Sequence, residues 1–226
     1  MMVDGKDPVQ RVALDVQLKQ IKEDLLRLGT LVEGAIECSM QALQGMDHDL
    51  AEKVIHDDHL LNEVRFGVEE RCLQLIATQQ PAARDLRSIV SAMTIVGDLE
   101  RMGDHAAGIA KTVLRMQKRV DINPESELLQ MAEQVKTMLR RGMESYEKVD
   151  SHLAYTVATM DDAIDSRYQA LFKEYLNIMV DDPDSAPETL YLLFCGHNLE
   201  RIGDRVTNIT ERVIFMTSGE MEELNV

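Results

Sequence analysis

The chain has 226 residues, enough for one large domain or for two units of about 100 residues that each bury a core. It is 45% hydrophobic with 14 Met, no Trp and few aromatic residues, a composition that suits helices packed by Leu, Ile, Val and Met better than a β-sandwich. A net charge of −16 repels nucleic-acid backbones and anionic lipid headgroups, and no uncharged stretch approaches the ~18 residues of a membrane span, so the expectation is a soluble cytoplasmic protein that binds no nucleic acid.

Apolar residues at Leu14, Leu18, Ile21, Leu25, Leu28, Val32 and Ala35 alternate steps of four and three, which predicts a first helix reaching about residue 43. A polar break at 45–49 precedes Val54, Leu61, Val64, Val68, Cys72 and Leu75, the stripe of a second helix that Pro81 ends. The third helix is predicted over about 82–119, followed by a break at 121–125. Leu128, Met131, Val135, Met138 and Val149 then mark a fourth helix. Val157, Met160, Ile164, Tyr168, Leu171, Tyr175 and Ile178 mark a fifth, and a sixth follows the break at 181–184.

Six long helices with short connections predict an all-α fold of antiparallel neighbours. The segment from Asp98 to Ala110 reappears as Asn198 to Thr210 with six of thirteen positions identical, where chance would supply about one. A period near 100 residues is that of a duplicated three-helix unit. The expected architecture is two tandem three-helix bundles, residues 1–122 and 123–226.

The chemistry-bearing residues stand in pairs four apart, beside the core stripes. Glu200 and Asp204 lie one step round from Leu199 and Ile202, Glu100 and Asp104 one step round from Leu99 and Met102. Asp161 and Asp165 follow Met160 and Ile164, and Asp58 with Asn62 follow Asp57 and Leu61. Like charges four apart on a helix destabilise it by a few tenths of a kcal/mol, so their recurrence at equivalent positions asks for a compensating cation. Carboxylate and amide oxygens suit hard ions such as Mg²⁺, Ca²⁺, Mn²⁺ or iron. The plainer alternative is a helical scaffold whose acids are solvated faces, with Arg101 and Arg201 neutralising them.

Cys38, Cys72 and Cys195 are too far apart and too few for a disulfide framework or a thiolate zinc site, and read as ordinary buried thiols. His59 and His105 adjoin the acid pairs but share no spacing with the other histidines, so no metal role is assigned to them. No Glu-x-x-His motif of a di-iron bundle, nucleophile elbow, P-loop or dinucleotide fingerprint occurs, and an enzyme is not expected.

At these residues the sequence resembles the PhoU family, accessory regulators of bacterial phosphate uptake whose repeats carry acid-x-x-x-acid motifs within Leu-Glu-Arg-hydrophobic-Gly-Asp. Both such motifs are intact here, and the segment Pro81-Ala82-Ala83-Arg84-Asp85-Leu86-Arg87 is similar to the family's opening of the third helix; the second repeat has Asp182-Pro183-Asp184-Ser185 instead. The resemblance spans essentially the whole chain. It implies clusters of divalent or trivalent metal ions, whether iron, Mn, Mg or Zn, on Asp58, Asn62, Glu100, Asp104, Asp161, Asp165, Glu200 and Asp204. Asn62 departs from the expected acid and brings less charge. The resemblance further implies a homodimer that reaches the membrane only through partners, coupling the ATPase subunit of a phosphate ABC transporter to a sensor histidine kinase and restraining phosphate-starvation signalling.

Overall fold

The computed structural model describes residues 8–118 and 126–224. Its helices are α1 Pro8–Gly45, α2 His48–Gln79, α3 Ala83–Val113, α4 Glu127–Lys148, α5 Ser151–Ala158, α6 Asp161–Asp181 and α7 Ala186–Ser218, with a 3-10 turn Pro183–Ser185 before the last. No strand occurs among the described residues. The expected break at 121–125 and the expected boundary after residue 122 lie outside them.

The helix ends follow from local chemistry. Asp47 accepts from the Leu50 backbone N–H at 3.0 Å and starts α2, and Asp150 accepts from the Leu153 N–H at 3.0 Å to start α5. Gln80 takes left-handed backbone, φ 44°, ahead of Pro81 and closes α2. Two expectations need correction. The third helix stops at Val113, about six residues short of the expected end, where the Arg115 and Met116 N–H groups both turn back to the Thr112 carbonyl. The fifth predicted helix is two helices, α5 and α6, meeting at Thr159 and Met160; its stripe also ends early, since Ile178 is exposed. Val149, placed in the stripe of the fourth helix, is its left-handed cap, φ 52°, and is exposed as well.

With α5 and α6 counted as one arm, the chain forms two three-helix bundles, α1–α2–α3 and α4–α5/α6–α7. The expected stripes line the cores, with Leu25, Leu28 and Val32 buried in α1, Leu99, Met102 and Ala106 in α3 and Leu199, Ile202 and Val206 in α7; at the end of the first stripe it is Ile36 that is buried, while Ala35 stays half-buried. The bundles join along α3 and α7, which run antiparallel: Ser91 reaches the Arg212 carbonyl, Asp98 meets Arg205 and His105 meets Asn198. A second antiparallel contact is made by α1 and α4, through Glu37 with Lys136 and Glu33 with Arg140.

Gly203 sets the approach of α7 to α6. A Cβ there would stand 2.8 Å from Asp161 Oδ1 and 3.2 Å from Ile164 Cδ1; at the equivalent Gly103, one would stand 2.1 Å from Leu61 Cδ1 and 3.3 Å from Asp58 Oδ1. In each repeat the helix carrying one acid pair is thus pressed against the helix carrying the other. Gly203→Ala is expected to lower stability by ~1–2 kcal/mol through overpacking. Gly97→Ala, with nothing within 4 Å of its Cβ, is expected to raise it by up to ~1 kcal/mol through helix propensity. Urea denaturation of the two variants checks the opposite signs.

Candidate functional site

In the second repeat, Asp161 opens α6 and Asp165 lies one turn on, while Glu200 and Asp204 stand one turn apart on α7. One oxygen each from Asp161, Asp165 and Asp204 lie within 4.8 Å of one another. Oxygens on one hard cation, at about 2.0–2.6 Å from it, are at most ~5 Å apart, so this spacing fits single-ion ligation. The local electrostatics carry the cost of that convergence. Burial, then the neighbouring carboxylates of Asp165 and Asp204, push the Asp161 carboxyl up to about 7, with Thr207 partly opposing them. Asp165 and Glu200 are raised as well, by burial first and Asp204 second. Glu200 Oε2 is buried with no hydrogen bond, and His197 Nδ1 lies 3.5 Å from it. Arg201 pairs with Asp204.

The first repeat repeats this plan with less charge. Asp58 corresponds to Asp161, Asn62 to Asp165, and Glu100 and Asp104 to Glu200 and Asp204. Asn62 therefore stands where the second repeat has the middle carboxylate of its trio, and among the described residues Asp58, Glu100 and Asp104 do not form such a trio. Burial and then Asp104 raise Asp58; burial, then Asp104, raise Glu100. Asp58 Oδ1 and Glu100 Oε2 are buried with no hydrogen bond, although Arg101 Nε lies 3.7 Å from the latter. Buried carboxylate oxygens lacking donors, gathered where two helices meet, are what a cation's ligands present when no other donor serves them.

Sequence reasoning missed Arg65, which reaches across from α2 to donate to Glu100 Oε1 at 3.1 Å. It lies three residues past Asn62, and a basic residue one turn beyond an acid pair was the available signal. His59 is exposed, its Nδ1 against the His56 carbonyl, and His105 Nδ1 donates to Asn198 Oδ1 at 3.0 Å, so neither histidine turns to the acids. Also missed was the seam partner of Asp98. Asp98 Oδ1 accepts from Arg205 Nη1 at 3.2 Å and Asn208 Nδ2 at 3.1 Å, while burial still pushes its carboxyl up. Positions 98 and 198 are repeat equivalents, as are 105 and 205, so Asp98 with Arg205 and Asn198 with His105 are the charged and neutral versions of one contact.

Comparison with known proteins agrees with the duplication. A model of the PhoU domain matches residues 25–113 and again 128–213. A protein of Clostridium acetobutylicum described as a phosphate-specific transport system accessory protein PhoU homolog is 37% identical over 216 residues, spanning 95% of this chain and 99% of that protein. The crystal structure of the phosphate transport system regulatory protein PhoU from Streptococcus pneumoniae superposes with a TM-score of 0.86 at 34% identity, covering 92% of this chain and 99% of that one. That of PhoU from Pseudomonas aeruginosa gives 0.87 at 31% identity, covering 91% and 99%. With two matched domains, relatives spanned almost end to end and a shared fold, the chain belongs to the PhoU family.

Proposed function

We propose that this chain is a non-catalytic accessory regulator of phosphate transport that holds hard metal ions on its paired acidic helices. The observation that carries the metal reading is the convergence of Asp161, Asp165 and Asp204 within 4.8 Å. Asp58, Asn62, Glu100, Asp104 and Glu200 extend the same donor set. A bound cation would offset the burial and the neighbouring charge that raise the Asp58, Glu100, Asp161, Asp165 and Glu200 carboxyls, and would fix the spacing of α6 against α7 and of α2 against α3. No reaction is required of it.

The names of the relatives, accessory and regulatory proteins of phosphate transport, support the regulatory role. In this reading the chain couples the ATPase subunit of a phosphate ABC transporter to a sensor histidine kinase and acts in the cytoplasm as a homodimer. No helix among the described residues is long and apolar enough to cross a membrane, so contact with a transporter would run through its protein surface. Deletion of the gene is expected to switch on phosphate-starvation genes in phosphate-replete cells, read with a transcriptional reporter. A reporter that stays silent in the deletion strain removes the regulatory assignment.

A further inference from the structure

The two repeats can be aligned at their helix turns, and their differences then become informative. Met46 and Val149 share left-handed backbone, φ 50° and 52°, and the aspartates after them cap the next helix in the same way. Counting back from these turns, Gly34, Ala35 and Cys38 of α1 correspond to Thr137, Met138 and Arg141 of α4, and Asp57 of α2 corresponds to Met160. In the second repeat this face is filled. Met138 is fully buried, and the Arg141 guanidinium extends to Met160 Sδ at 3.8 Å.

In the first repeat the same face is open. A Cβ at Gly34 would have nothing within 4 Å, and Ala35 and Cys38 stay half-buried beside Leu60 and Leu61. The result is a cavity of ≈ 230 Å³ between α1 and α2 that reaches down to Gly103. That volume lies below the ~300–1,000 Å³ of pockets enclosing drug-sized ligands, and suits one or two aliphatic side chains. Asp57 and Lys53, one turn apart on α2, both border it.

We propose that this groove receives a short amphipathic helix of a partner protein, which supplies in trans what Met138 and Arg141 supply in cis. Its aliphatic side chains fill the space above Gly34 and Ala35, and its arginine or lysine pairs with Asp57, where the second repeat has a methionine. The lining residues of α1 and α2 span about 12–17 Å, so two to three helical turns are engaged. Lys53, one turn before Asp57 on the same helix, selects the direction, taking an acidic residue of the partner. The chain's net charge of −16 favours the approach of a basic segment. The inference goes beyond the metal reading and does not rest on it.

The test uses fluorescein-labelled helical 14-residue peptides carrying a Leu pair four apart and an Arg one turn beyond, with the full chain titrated in by fluorescence anisotropy. Saturable binding is expected, weakened at least tenfold by Ala35→Met and by Gly34→Thr, which install the second repeat's residues. A peptide with Glu for Arg, or Ala for both Leu, is expected to bind at least tenfold more weakly. Bound peptide should also slow alkylation of Cys38 by a maleimide, the other two thiols being buried. The proposal is overturned if no Leu/Arg peptide saturates, if the Glu peptide binds equally well, or if both groove-filling variants, shown to be folded by their melting curves, bind as wild type does. Mn²⁺-dependent melting of the same variants reports on the metal reading separately, so the two can fail independently.

Discussion

Adding Mn²⁺ at ~100 times its dissociation constant is expected to raise the melting temperature by about 5–10 °C. The shift follows from ~2.7 kcal/mol of ligand stabilisation at that excess and ~2–4 °C per kcal/mol for a chain of this size. Asp161→Asn combined with Asp204→Asn should remove the rise. The same double variant should be more stable than wild type in a chelator at pH 8, because it loses the repulsion and the buried charge together. That reversal of sign is what a cation site predicts and a solvated acidic face does not. Asn62→Asp should strengthen metal-dependent stabilisation of the first repeat, since it completes the equivalent trio. Melting curves indifferent to Mn²⁺ in both wild type and variants would leave the helical-scaffold reading in possession.

The pH dependence has a definite direction. Asp161 titrates at about 7 in the folded chain and near 4 when unfolded, so the folded state binds the extra proton between those values. Stability of the cation-free protein from this group is therefore full below about 4 and falls as pH rises to about 7. Metal competes with that proton, and its apparent affinity should climb across the same window. Calorimetric titration at pH 6 and pH 8 measures the difference.

Asp98→Ala is expected to cost ~2–3 kcal/mol in urea denaturation. Removing one partner of a buried ion pair typically costs ~3–5 kcal/mol. Here the Arg205 side chain keeps 30% of its surface in solvent and regains part of its hydration, whereas Asp98 keeps 7%. Asp98→Asn should cost less, because it preserves a polar contact and reproduces the residue of the second repeat. A loss below ~0.5 kcal/mol for the alanine variant, the range of ordinary surface substitutions, would show that Asp98 does not anchor the α3–α7 seam.

The helical periodicity made the arms legible because each long helix buries one face, and Leu25, Leu28, Val32, Leu99 and Ile202 all fall where spacing put them. It failed where the chain changes direction without a strong breaker. Thr159 and Met160 carry neither proline nor glycine, so the α5–α6 break leaves almost no trace in a hydrophobicity pattern. The acid pairs were visible as pairs, and the equivalence of Asp58 and Asn62 with Asp161 and Asp165 could be read from spacing. That Asp161, Asp165 and Asp204 converge depends on the contact between α6 and α7, set by Gly203, which no single-helix pattern contains. Arg65 and Arg205 escaped notice for the same reason: each is paired across helices, with Glu100 and Asp98.

The antiparallel meeting of α3 with α7 obeys the logic of an isologous interface folded into one polypeptide: position 98 faces 205, and 198 faces 105. A chain carrying one repeat would expose its half of the α3–α7 seam, which a second copy of itself could cover. Excising either half should therefore yield an aggregating or self-pairing product. Because one chain encodes both halves, the two contacts need not match: one carries a carboxylate and a guanidinium, the other an amide and an imidazole. Duplication has given this molecule two faces free to specialise separately.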